Sequence, residues 1–323
     1  MTPPATTEVA PDIPAASTDR AATLRGRAPW QTAVSLAVLL CAALLARHHW
    51  PVIETGATRL ANADRGWLLP AAVATVSTWA CSALAQQGAV AEALPGRRLV
   101  AVQFAASAAN HVLPAGVGAG AVNLRFLTRC GLSMTRSATA LAVKATAGAV
   151  TRGALIALLA LFDPGPLRLP RVSAAVVAAA LLVAGAVVLL LRGPLRRAAR
   201  AVLADVRAVH RLPGRAAALW GGSLAFASLH ALVVVTVTRS LGLPLPPDRV
   251  ALAYLAASSA AVLLPTPGGI GSLDAALALA LTLAGAPGSA AASVVLGYRL
   301  LTVWLPLVPG LVVLGMLVRR KAL

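Results

Sequence analysis

Three cations lie inside stretches that are otherwise apolar: Lys144, Arg152 and Arg299. A charge in hydrocarbon is costly, so each marks either a polar path or a structural pair. Arg presents a planar fork to a phosphate, and Lys presents a point charge. Arg152 is eight positions beyond Lys144, on roughly the same helix face, so both can line one path. An acid, Asp274, closes the run Leu264-Pro265-Thr266-Pro267-Gly268-Gly269-Ile270-Gly271-Ser272-Leu273-Asp274. Pro265 and Pro267 remove backbone donors, while Gly268, Gly269 and Gly271 permit close backbone approach. Such a break at membrane depth must be buried in protein or line a wet cavity.

An earlier run, Leu113-Pro114-Ala115-Gly116-Val117-Gly118-Ala119-Gly120-Ala121-Val122-Asn123, aligns with it without a gap. Pro114 falls on Pro265, Gly118 on Gly269, Gly120 on Gly271 and Asn123 on Asp274. Lys144 and Arg299 follow on the next long apolar segment of each copy. Paired broken segments in matching halves point to a transport site. The expectation is that two short helices begin just after the glycines, with their N-terminal amides turned towards an anion. Asp274 then has three readings: a helix cap, a partner for Arg299, or a contact for a cationic headgroup. Asn123 is either its neutral counterpart or an ordinary polar residue at a helix start. Arg125 and Arg129, four apart, share a face and either snorkel to the surface or join the path. His111 and His230 are packing histidines or proton relays.

Other chemistries find no pattern. Metal-ligand spacings, a nucleophile elbow and a phosphate loop are missing, so no metal, no cofactor and no enzymatic activity is expected. Cys41, Cys81 and Cys130 have no redox or metal spacing.

The elements that must position these groups are membrane helices. The 323 residues are 59% hydrophobic and 12% charged, about half the charge of a soluble domain. Residues 1–28 lack apolar periodicity and read as a disordered tail. The rest, 29–323, reads as one transmembrane domain. Spans are expected near 30–46, 66–86, 137–162, 172–191, 216–237 and 289–318, the last bent at Pro306 or Pro309. Two broken elements, with legs 99–113 and 121–132, then 250–264 and 272–284, are too short to cross. The predicted fold is therefore an all-α polytopic protein of about six spans with two re-entrant hairpins, as repeats over about 66–162 and 216–318.

The net charge of +18 follows from topology rather than from nucleic-acid binding. With an inside N-terminus, 18 of the 28 Lys and Arg fall on cytoplasmic segments, seven of them in the basic loop 192–215. That loop is expected to lie against anionic inner-leaflet lipid. Both termini are then cytoplasmic, and the first hairpin enters from the cytoplasm and the second from outside, an inverted repeat.

The blocks Gly120-Ala121-Val122-Asn123-Leu124-Arg125-Phe126-Leu127 and Leu264 to Gly271 with Asp274, continued by Tyr298-Arg299-Leu300-Leu301 and Trp304-Leu305-Pro306, carry a resemblance. Over about 30–320 the chain resembles the transmembrane region of the lysylphosphatidylglycerol synthase/flippase family. Asp274 stands where Glu is commoner in that family. The resemblance implies a plasma-membrane flippase that moves an anionic or aminoacylated phosphatidylglycerol-type headgroup between leaflets. The family's aminoacyl-transfer domain has no counterpart after the last helix, so only translocation is carried over. Lys144, Arg299, Asp274, Asn123, Arg152 and Arg125 are the expected path residues and membrane phospholipid the expected partner. A homo-oligomer is compatible with the sequence. The alternatives are a non-transporting scaffold for envelope enzymes, a translocator of polyprenyl-phosphate-linked substrates, or a membrane-embedded transferase.

Overall fold

The computed structural model describes residues 61–112, 117–162, 206–262 and 271–320, with isolated positions between 54 and 59 and at 204 and 323. The tail 1–28, the expected spans 30–46 and 172–191, most of the basic loop, and Pro114, Pro265, Pro267, Gly268 and Gly269 lie outside the described residues.

All regular structure among the described residues is helical. The helices are α1 (Arg65–Gly88), α2 (Gly96–Val112), α3 (Val117–Arg129), α4 (Met134–Phe162), α5 (Pro213–Ser240), α6 (Pro247–Ala261), α7 (Ser272–Leu283), α8 (Gly288–Arg299) and α9 (Leu305–Arg319). A π-helical turn, Leu300–Trp304, joins α8 to α9. Four helical stretches are long and apolar enough to cross a bilayer: α1, α4, α5 and the continuous 288–319. They coincide with four of the six expected spans, and the other two fall outside the described residues.

The starts of these helices follow local chemistry. Asp64 caps α1 by accepting a hydrogen bond from the Gly66 amide at 2.8 Å. Pro213 and Pro247 open α5 and α6, where their missing amides cost nothing. The irregularity in the last helix sits one turn before the expected prolines. Pro306 has no amide for the carbonyl four residues back, and its ring crowds that turn. The chain widens to a π turn over 300–304 instead of kinking at the proline itself.

The most extensive packing is between α1 and α5. They run antiparallel: Asp64 donates its amide to the Ser240 carbonyl at 2.9 Å at one end. At the other end, Gly88 lies against the backbone of Arg215 and Leu219. A Cβ on Gly222 would sit 2.6 Å from the Ala85 amide nitrogen, so only glycine allows this approach.

Packing then repeats in the two halves. α1 packs on α2 as α5 packs on α6; α2 on α3 as α6 on α7; and α3 on α4 as α7 on α8. The final helix α9 crosses to α2, and α4 crosses to α6. Leu94 and Leu99, before and in α2, join Leu127 and Leu132, in and after α3, in one apolar cluster. Leu245, Val250, Leu281 and Ala286 do the same around α6 and α7. In each half the start of the first short helix and the end of the second thus share one apolar cluster.

At about 1.5 Å per residue, α2 and α3 reach about 26 and 20 Å, and α6 and α7 about 22 and 18 Å. All fall below the roughly 30 Å of a bilayer core. One boundary differs from expectation. α3 begins at Val117, so Gly118 and Gly120 lie in its first turn rather than ahead of it. Gly118 is used for packing: a Cβ there would meet the Ala109 carbonyl oxygen at 2.1 Å.

Candidate functional site: a cation in a neutral network between two cavities

Lys144 leaves the middle of α4 and reaches two neighbouring helices. Its ammonium donates to Ser82 Oγ on α1 at 2.9 Å and to Gln103 Oε1 on α2 at 3.0 Å. Ser82 donates to the same Gln103 oxygen at 2.9 Å. Gln103 Nε2 donates to Asn123 Oδ1 on α3 at 2.6 Å, and Asn123 Nδ2 donates to the Ala119 carbonyl at 2.8 Å. Four helices of the first half are thereby joined through one polar chain. Every partner in it is neutral. Among the described residues no carboxylate pairs with Lys144.

Cavities flank this network. A larger one, about 490 Å³, has Lys144, Arg152, Asn123, Gly120 and Gln86 in its wall, amid Ala, Leu, Phe and Val side chains. A smaller one, about 250 Å³, is lined by Lys144, Gln103, Asn123, Asn110 and His230. Lys144, Ser82 and Asn123 border both. The larger volume is in the range of small-molecule sites, about 300–1,000 Å³.

Two groups of the larger cavity have unmet hydrogen-bonding capacity. Gln86 is fully buried, yet neither its amide nitrogen nor its amide oxygen has a partner. Arg152 Nε is buried and unpartnered too. An unmet buried polar group costs about 1–3 kcal/mol, so a site with several is unfinished without a ligand or water.

The second half treats its charge differently. Arg299, 6% exposed, donates from Nε to Asp274 Oδ1. The other carboxylate oxygen of Asp274 accepts the Gly271 amide at 2.9 Å, capping the start of α7. Gly271 holds φ at +88°, a conformation glycine adopts without strain. Beside this pair, the Tyr298 hydroxyl lies 3.1 Å from His230 Nδ1 and 3.2 Å from the Tyr254 hydroxyl.

The sequence-derived candidates thus separate. Lys144, Arg152, Asn123 and Gly120 meet at the cavities. Arg299 and Asp274 meet each other and line neither of them. Gly118 is buried in the α2–α3 packing and Gly271 caps α7. Arg125 is exposed and lines neither cavity. Asn123 and Asp274, matched in sequence, occupy different turns: Asp274 is the third residue of α7, whereas Asn123 lies in the second turn of α3. His111 Nδ1 is buried without a partner and lines neither cavity.

Ser82, Gln86, Gln103 and Tyr254 were not singled out from the sequence. A signal for two of them was present. Gln103 precedes Asn123 by 20 positions, and Tyr254 precedes Asp274 by the same interval. Extending the gap-free alignment back along the entry legs pairs them.

Spanning apolar helices with polar groups gathered between them define a polytopic α-helical membrane protein. Residues 30–310 match the family described as the lysylphosphatidylglycerol synthase TM region, and the chain belongs to that family. No curated protein matches the chain.

Proposed function

We propose that this protein translocates an anionic phospholipid headgroup between leaflets, with Lys144 and Arg152 compensating the phosphate in transit. The observation that carries this reading is Lys144: an ammonium held, among the described residues, by neutral groups alone, at the junction of two cavities. Burying an ion without a counter-ion costs several kcal/mol, and an arriving phosphate removes that penalty. The acyl chains need no polar path and remain in lipid.

The architecture supports an inverted repeat with hairpins α2–α3 and α6–α7 entering from opposite faces. Helices α1 and α5 are antiparallel, each short pair begins and ends in one apolar cluster, and both pairs are too short to cross comfortably. Arg97 and Arg98 open α2, Arg136 pairs with Glu92 just before it, and Arg215 reaches the Gln87 carbonyl; this basic cluster supports a cytoplasmic reading of that end, by the excess of positive charge on inside segments. The basic loop 192–215 then lies along anionic inner-leaflet lipid, and both termini are cytoplasmic.

The test is leaflet exchange in proteoliposomes carrying a headgroup-labelled phosphatidylglycerol, read by quenching of the outer leaflet. Wild-type protein should speed exchange over empty vesicles. Lys144→Gln and Arg152→Gln should each slow it at least about tenfold, the effect of removing one charge-assisted contact. Exchange equal to wild type in both variants overturns the assignment.

A further inference from the structure

The wall of the larger cavity distinguishes among phospholipids. Among the described residues its charges are Lys144 and Arg152, both positive, and no acid lines it. Asp274, the acid of the second broken run, is occupied by Arg299 and the Gly271 amide and lies outside the cavity wall. A headgroup bearing its own cation, such as a lysyl ester of phosphatidylglycerol, meets two like charges here and no counter-charge. A headgroup of net charge −1 meets only attraction.

Gln86 adds a second criterion. It carries an unpartnered donor and an unpartnered acceptor in the wall that also holds Lys144 and Arg152. A phosphate oxygen can only accept, so phosphate satisfies the amide nitrogen and leaves the amide oxygen unmet. An alcohol both donates and accepts, and it completes the side chain. A trimethylammonium group does neither.

We infer that the cavity binds a phosphodiester headgroup of net negative charge that carries a free hydroxyl, with Arg152 and Lys144 on the phosphate and Gln86 on the hydroxyl. This rests on the translocation reading for its biological setting but is a statement about binding. It selects unmodified phosphatidylglycerol-type lipid over its aminoacylated form.

Calorimetric titration of the purified full chain in micelles tests it, with four short-chain lipids: phosphatidylglycerol, phosphatidylmethanol, phosphatidylcholine and lysylphosphatidylglycerol. Phosphatidylmethanol has the same charge as phosphatidylglycerol and no hydroxyl. Wild-type protein should bind phosphatidylglycerol about tenfold more tightly than phosphatidylmethanol, the worth of one well-made hydrogen bond in a buried site. It should bind the choline and lysyl lipids more weakly than either. Gln86→Leu should erase the preference by weakening phosphatidylglycerol alone. Gln86→Glu, which keeps the shape but adds a negative charge, should weaken phosphatidylglycerol and strengthen the lysyl lipid, a gain that misfolding cannot mimic. Equal binding of phosphatidylglycerol and phosphatidylmethanol by wild type overturns the hydroxyl assignment. Lysyl lipid binding as tightly as phosphatidylglycerol overturns the charge assignment. Selective binding without leaflet exchange would refute translocation and keep the binding site; exchange without selectivity would do the reverse.

Discussion

Lys144 and Arg299 are two cations buried by one fold under opposite conditions. Arg299 has its counter-charge built in: Asp274 is both its partner and the cap of α7. Removing the acid takes the Asp274 counter-charge from a guanidinium whose side chain is 8% exposed. Asp274→Asn should therefore destabilise the protein by about 3 kcal/mol. Joint replacement, Asp274→Asn with Arg299→Met, should recover part of that loss, because no unpaired charge is left. Denaturant unfolding in detergent measures both. Lys144 should behave in the opposite sense. Its partners Ser82 and Gln103 remain hydrogen-bonded to each other when it is gone. Lys144→Met should thus cost under about 1 kcal/mol or stabilise, since an uncompensated charge is removed. A large loss of stability on Lys144→Met would place Lys144 with the structural pairs.

Helices bring these side chains together through close approaches at small residues. Gly222 seats α5 on α1 next to Ala85, one residue from Gln86 and three from Ser82. Gly222→Val should separate the two helices, with a destabilisation of about 1–3 kcal/mol from overpacking, read as a lower thermal midpoint in detergent. The same change at Gly221, whose added Cβ would meet open space, should leave the midpoint unchanged or raise it slightly, because valine has the higher helix propensity.

The spanning helices were legible in the sequence because twenty apolar residues in a row have few alternatives. The start of α3 was misread because glycine signals both a break and a close contact. Nothing local distinguishes Gly118, which packs on Ala109, from Gly271, which turns the chain at positive φ. Ser82 and Gln103 escaped notice for a related reason. A neutral polar residue on an apolar helix becomes conspicuous only when a distant partner, here Lys144, is known to reach it.

At the scale of the whole molecule, the two halves share a packing scheme and differ in charge state. The first holds an open cation between cavities; the second holds a closed ion pair beside a His230–Tyr298–Tyr254 cluster. The sequence alignment of the two broken runs expected equivalent segments in the two halves. It could not foretell the asymmetry, which depends on Asp274 reaching Arg299 while Asn123 turns to Gln103. If the hairpins enter from opposite faces, the ends of α3 and α7 lie on opposite sides of the membrane. Cys130 just follows α3 and is exposed. With Cys41 and Cys81 replaced, Cys130 should react with an impermeant thiol reagent from the cytoplasmic side only. A Leu283→Cys variant, with Cys130 also replaced, should react from the outer side only. Labelling of both from one side would make the repeat parallel.

In the proposed function, a lipid phosphate answers the charge that the described residues leave without a counter-ion beside the cavity. Native mass spectrometry of the protein as purified addresses this directly, by comparing wild type with the Lys144→Gln/Arg152→Gln double variant at matched detergent and lipid. Wild type should retain an anionic phospholipid that survives detergent exchange, and the double variant should lose it while keeping its thermal midpoint. Equal retention of that lipid by both proteins would contradict the account.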